Sequence, residues 1–153
     1  MPSILPLVFE PDPRLRQRST EVAAADIAGL GELAMSMAET MTTEKGIGLA
    51  APQIGQNIRF IVVSTKDGVQ PMANPVLLKK SLLQEWGEEG CLSIPHVFGQ
   101  VKRHKSVRCS FTDIDGTERV IDAEGLMARV IQHEIDHLDG ILFIDKAKDI
   151  HEA

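Results

Sequence analysis

The sequence is short of cysteine, of basic charge and of long apolar runs. Two cysteines in 153 residues cannot make a disulfide scaffold, and they imply a reducing, cytoplasmic setting. Lysine and arginine number 16 against 22 acidic residues, a net charge of −6. No polybasic stripe is present, which argues against a direct nucleic-acid site or a membrane-surface role. No apolar run approaches a membrane span, and the N-terminus lacks the charged-then-apolar layout of a signal peptide. The length suits one domain over residues 1–153 with a single sizeable core and a short tail from residue 146.

What is present is Gln132-His133-Glu134-Ile135-Asp136-His137-Leu138-Asp139-Gly140. On a helix the two histidines leave the same face one turn apart, separated by roughly 6 Å of rise. That spacing lets two imidazoles bind one metal ion and places Glu134 near a water the ion would activate. The motif is short enough to arise by accident, so the helix around it matters. Asp122 is a fair N-cap, and Glu124 in the first turn suits the helix dipole. Leu126, Met127, Val130, Ile131, Ile135 and Leu138 wrap most of the circumference, leaving one polar stripe of Arg129, Gln132, Asp136 and Asp139. Such a helix is buried, and Gly140 stands where a left-handed residue ends it. Two histidines and a glutamate in that setting need partners, and a metal supplies them.

Earlier in the chain, residues 4–8 with Pro11-Asp12-Pro13 read as an extended surface arm ended by a turn. From Asp26, a plausible cap, Ile27, Leu30, Ala34, Met37 and Met41 recur at helical spacing, which predicts a helix over 26–41 that Gly29 and Gly31 weaken without breaking. Gly46-Ile47-Gly48-Leu49-Ala50-Ala51-Pro52-Gln53 follows. This is either a tight turn with a packed apolar segment or an edge strand on which an extended peptide can pair, with Gln53 as a donor at its end. Residues 59–64 read as a buried strand, Lys66-Asp67-Gly68 as a hairpin turn, and 72–83 as further strand interrupted at Asn74-Pro75. Residues 85–89 are acidic and turn-like.

A third metal ligand can be sought by elimination. The chain after His137 is too short for the second helix of a thermolysin-like site. The metzincin extension matches as far as Gly140 and fails at Phe143, where a histidine belongs. Cys91, Cys109, His96, His104 and the late carboxylates remain. Strand alternation puts Cys109 on an apolar face, whereas Cys91 in Glu89-Gly90-Cys91-Leu92-Ser93 has no such explanation. Cys91 is the best of them, giving a Cys-His-His site with one open position, the catalytic pattern.

The three stretches, 46–53, 89–93 and 132–140, resemble the three motifs of the peptide deformylases in that family's order, and the similarity runs over residues 4–145. The resemblance implies a hydrolase that removes the N-formyl group from formylmethionine at the N-terminus of newly synthesised proteins, releasing formate. Its partners would be the N-formylmethionyl peptides of nascent chains. It implies one divalent metal ion per chain on Cys91, His133 and His137, with Glu134 as proton shuttle. Gln53 and the Leu92 amide would face the oxyanion, and Glu89 would support the ligands from behind. Gly46, Ile47 and Gly48 would line the peptide's path, while Arg129, Val130 and His133 border the methionine pocket. Thiolate with two imidazoles suits zinc, iron, cobalt or nickel, and the family is associated with ferrous iron. The expected fold is α+β, with short antiparallel strands over 58–120 wrapped around the central buried helix and the 26–41 helix outside. Three features depart from the family's pattern. Lys45 stands where many bacterial members are acidic, and Phe98 where several have arginine. The tail is also short where relatives extend into a basic helix, leaving a transient ribosome contact without that route. A general metallopeptidase would share His-Glu-x-x-His but lack Glu89-Gly90-Cys91-Leu92-Ser93, and a non-catalytic metal module would need a fourth ligand and no Glu134.

Overall fold

The computed structural model describes residues 2–153. In chain order the elements are α1 (Ala24–Ile27), α2 (Gly31–Thr43), β1 (Gly48–Ala50), β2 (Phe60–Thr65), β3 (Gly68–Lys80), β4 (Gln84–Cys91), β5 (Ile94–His104), β6 (Ser106–Thr112), β7 (Glu118–Glu124), α3 (Gly125–Leu138) and β8 (Lys148–Glu152). The strands form a five-stranded sheet in the order β1-β2-β3-β6-β7 and a three-stranded sheet β4-β5-β8. Every named pairing is antiparallel. α3 packs on β1, β2, β6 and β7 of the first sheet and on β5 of the second, so the α+β expectation with a central buried helix holds.

The apolar run of β2 explains where the core sits. Ile61 and Val63 pack towards Ala128, Ile131 and Ile135 of α3, while Phe60 and Val62 pack towards Met37 and Met41 of α2. A strand covered on both faces has no polar side to show, so its sequence does not alternate. Each such fully buried side chain contributes about 1.5–3 kcal/mol relative to exposure. Asn74 takes a left-handed φ of 52° at a register shift between Ala73 and Val76, the interruption expected at Asn74-Pro75.

Several boundaries differ from expectation, each for a physical reason. Asp122 does not cap α3. Residues 122–124 complete β7 because Val107 and Arg108 of β6 pair with Ala123 and Asp122, and Arg108 bonds the Asp122 carboxylate at 2.8 Å. Gly125, with φ of 62°, turns the chain directly from strand to helix, and Glu124 at the cap makes no side-chain capping bond. Leu126 is 65% exposed rather than part of the helix's apolar wrap. In the polar stripe of α3, Gln132 is buried and bonds the backbone of His104 in the second sheet. Residues 26–41 are not one helix. Asp26 belongs to the short α1, with Ala23 at its cap, and a 3-10 turn, Ala28–Leu30, separates it from α2, where Gly29 and Gly31 lower helix propensity.

Two further stretches read as turn or tail are strands. Residues 85–89 lie in β4, where Gly87 leaves room for the Arg129 guanidinium and Gly90 for the Phe98 ring. Residues 148–152 are not a tail but β8, paired with β5. No helix among the described residues is long and apolar enough to cross a membrane.

Cys109 is completely buried, and burial pushes its thiol up to about 11. The unfolded chain would ionise this thiol near its ordinary value of 9. Its contribution to stability is therefore intact below pH 9 and is lost as pH rises towards 11. A thiol reagent at pH 8 is expected to modify Cys91 alone in the native metal-free chain, with Cys109 reacting only on denaturation; rapid native modification of Cys109 would contradict this packing.

Candidate metal centre and cleft

α3 delivers His133, Glu134 and His137 to one spot because a spacing of four returns to the same helix face. The two imidazole centroids lie 5.0 Å apart. Cys91 arrives from the end of β4, where the register with β5 shifts between Gly90 and Cys91. Its sulfur is 3.3 Å from His137 Nε2, and the ligand atoms of Cys91, His133 and His137 all lie within 4.8 Å of one another. The other sequence candidates are elsewhere: Cys109 is in the core, and His104 Nδ1 contacts the Ser81 carbonyl at 2.7 Å. His96 sits at the cleft rim.

Charge around this group is arranged for a cation. Glu89 is buried and gathers Arg103 through two 2.8 Å bonds, Arg129 at 2.7 Å and His133 Nδ1 at 2.8 Å. Burial opposes the charged carboxylate, but the hydrogen bonds from Arg103 and His133 overrule it and hold Glu89 well below the usual range. With Nδ1 bonded to Glu89, Nε2 is the His133 nitrogen left for a ligand, and a metal bound there would displace any proton it carries. Burial disfavours the His133 cation, yet Glu134, Cys91 and Glu89 together raise it to about 10, so this point of the site favours a positive charge. Burial and the neighbouring His133 push His137 well below its ordinary value. Burial drives the Glu134 carboxyl up to about 7, close to the value suited to a general base at neutral pH. His137 Nδ1 and Glu134 Oε1 are buried polar atoms without a hydrogen-bond partner among the described residues. A soft thiolate and two imidazoles whose ligand atoms converge, beside a Glu134 oxygen left for a water, fit a divalent metal with an open position.

The remaining predicted residues surround this group. Gly46, Ile47, Gly48, Gln53, Glu89, Cys91, Leu92, Arg129, Val130, His133 and Glu134 all line one cleft of about 1060 Å³, with Gly46 against Leu92 and Gly48 against Glu134 and Val130. β1 is the edge strand of its sheet. Gln53 lies just after it in a 3-10 turn, Ala51–Ile54. Its Oε1 accepts from the Ala50 amide at 2.9 Å. Its Nε2 donates to Ser93 Oγ at 3.1 Å and to Cys91 Sγ at 3.4 Å. Leu92 packs on Gly46, where a Cβ would stand 2.8 Å from its side chain. Phe98 covers Gly90 and lies 6.1 Å from the His151 ring, so this departure places an aromatic wall in the cleft.

Sequence reasoning missed Arg103 and Ser93. Arg103 is only 3% exposed and bridges Glu89 to Asp136, which it bonds at 2.6 Å. The available signal was its position two residues after the inward-facing Val101, with exposed Lys102 between them.

An HExxH helix completed by a cysteine, in a cleft lined by a buried carboxylate, defines a metal-dependent hydrolase of the Cys-His-His class. The polypeptide deformylase family model matches residues 4–153. A peptide deformylase of Rhizobium meliloti (strain 1021) is 47% identical over 148 residues, which are 94% of this chain and 84% of that one. The crystal structure of peptide deformylase from Thermotoga maritima superposes with a TM-score of 0.91 at 37% identity, covering 95% of this chain and 98% of that one. A Met-Ala-Ser-bound peptide deformylase from Acinetobacter baumannii gives a TM-score of 0.91 at 34% identity, covering 95% and 99%. The chain belongs to the polypeptide deformylase family, whose members remove the N-formyl group from the N-terminal formylmethionine of nascent proteins.

Gly48 gives this site a sharp test. A Cβ there would stand 2.5 Å from Glu134 Oε2 and 2.8 Å from Val130, so Gly48→Ala must push the carboxylate aside. A displacement of about 1 Å costs on the order of 10²-fold in rate. Gly48→Ala is therefore expected to lose about that much deformylation while metal content stays unchanged; near-wild-type turnover would show that Glu134 is not held where it acts.

Proposed function

We propose that this chain deformylates nascent N-formylmethionyl peptides with one divalent metal ion held by Cys91, His133 and His137. The observation that carries the reading is the convergence of these three ligand atoms beside Glu134 and Gln53, in a cleft walled by the edge strand β1. When bound, the ion supplies Lewis-acid polarisation of the formyl oxygen and acidification of the attacking water towards pKa about 7. Ferrous iron is the ion the family resemblance implies, and the same donors also accept zinc, nickel or cobalt.

Each remaining task falls to a residue of the chain. Glu134 takes a proton from the attacking water and returns it to the leaving amine nitrogen. Its burial, with only 4% of its surface exposed, keeps bulk water from competing for that proton. Gln53 Nε2 and the Leu92 amide donate to the oxygen that gains charge as the carbonyl becomes tetrahedral. Gly46, Ile47 and Gly48 offer backbone groups to an extended peptide, which adds a strand at the free edge of β1. Arg129, Val130 and His133 border the methionine side chain, and Glu89 orients His133. The Met-Ala-Ser bound to the Acinetobacter baumannii relative has the sequence that removal of a formyl group from formyl-Met-Ala-Ser would leave, which supports this choice of substrate.

The test is metal removal and return. Chelation should abolish formate release from formyl-Met-Ala-Ser, and anaerobic reloading with Fe²⁺, Ni²⁺ or Co²⁺ should restore it in the wild type but not in Cys91→Ser. Undiminished turnover in the fully chelated protein would refute a metal-dependent reaction.

A further inference from the structure

Gln53 must aim one N–H at a fixed point, yet it sits at the end of a single 3-10 turn and its terminal amide torsion is intrinsically soft. The surrounding bonds remove that freedom. The Ala50 N–H donates to Oε1 at 2.9 Å, which fixes the end of the amide that is oxygen. Nε2 carries two hydrogens. One is taken by Ser93 Oγ at 3.1 Å, and the other points to Cys91 Sγ at 3.4 Å.

Ser93 has no exposed surface and is absent from the cleft lining, so it stands behind Gln53 and out of a substrate's reach. The backbone reinforces the same link. The Val8 N–H donates to the Gln53 carbonyl at 2.7 Å, and the Glu10 N–H donates to the Ser93 carbonyl at 3.0 Å. Residues 8–10 of the N-terminal arm thus tie the loop carrying Gln53 to the loop carrying Cys91 and Ser93. Inside that strap the Ser93 hydroxyl is the one side-chain contact of Ser93 with the Gln53 amide.

We propose that Ser93 is a positioning residue: its hydroxyl holds one Nε2 hydrogen of Gln53 so that the other stays directed at the Cys91 sulfur and the reacting carbonyl oxygen. This rests on the deformylase reading and on the role of Gln53 within it. Without Ser93 Oγ the amide can swing away, and the N–H that it held is left buried without an acceptor. The Leu92 amide is unaffected, so turnover falls without disappearing.

The experiment compares wild type, Ser93→Ala, Ser93→Thr, Gln53→Leu and the Ser93→Ala/Gln53→Leu double variant, each loaded with Co²⁺. Two quantities are read: kcat and KM for formyl-Met-Ala-Ser, and the sulfur-to-cobalt charge-transfer absorption. Ser93→Ala is expected to lower kcat about 10- to 100-fold with KM little changed, and Ser93→Thr to recover most of the loss. In the Gln53→Leu background the serine substitution should add nothing, since residues acting through one another are not additive. The charge-transfer band should shift in Ser93→Ala because the hydrogen bond to the thiolate loosens. Wild-type kcat in Ser93→Ala, a loss that multiplies with that of Gln53→Leu, or loss of the cobalt itself would each overturn the proposal. If the wild type releases no formate, the deformylase reading fails instead. The absorption band does not depend on turnover and still decides the positioning: an unchanged band in Ser93→Ala overturns it.

Discussion

Replacing Glu134 with alanine is expected to cut formate release by about 10²–10⁴-fold, the usual contribution of a positioned acid-base group. The bound metal should remain, because Glu134 is outside the group of Cys91, His133 and His137. The size of the effect follows from the site's isolation. Glu134 is 4% exposed, one of its oxygens has no partner among the described residues, and burial holds its carboxyl up to about 7. The buried Glu89 cannot take over, since it is engaged by Arg103, Arg129 and His133. Formate release and metal analysis on the same sample check both halves. Loss of metal together with activity would recast Glu134 as a support of the site.

The second large effect is expected at Glu89. Glu89→Ala removes the acceptor of His133 Nδ1 and strands Arg103, which is only 3% exposed, with Asp136 as its remaining carboxylate partner. Breaking a buried ion pair by removing one member costs about 3–5 kcal/mol, so the melting temperature should fall sharply. Losing the group that orients a ligating histidine typically weakens metal binding about 10–100-fold. Glu89→Gln separates the two effects. It retains size and an acceptor oxygen but not the charge, so it should recover more of the metal affinity than of the stability. Calorimetry and competitive metal titration read them independently. A Glu89→Ala protein with wild-type melting and metal affinity would mean that the network does not support the site.

The local parts of this architecture were legible in the sequence. His133 and His137 converge because helical spacing acts within one turn, and Cys91 could be preferred because strand alternation explains Cys109 and not Cys91. Arg103 and Ser93 were hidden because their partners are chosen across strands and loops. Arg103 reaches Glu89 only through the pairing of β4 with β5, and Ser93 reaches Gln53 only because the arm draws two loops together. The acidic run at 85–89 looked like a turn for the same reason: inward Glu89 is neutralised by arginines of β5 and α3. Asp122 looked like a cap until its pairing with Arg108 kept it in β7. The glycines at 87 and 90 leave space for Arg129 and Phe98, partners that only the strand pairing and α3 bring to them.

The central claim is that the ion held by Cys91, His133 and His137 serves to release formate. The most direct measurement is the product balance on formyl-Met-Ala-Ser with anaerobically purified, metal-loaded wild-type protein, reading formate enzymatically and the peptide by mass spectrometry. The account predicts one formate for each peptide consumed and an intact Met-Ala-Ser product. No formate from folded, metal-loaded protein, or cleavage within the peptide, would contradict it.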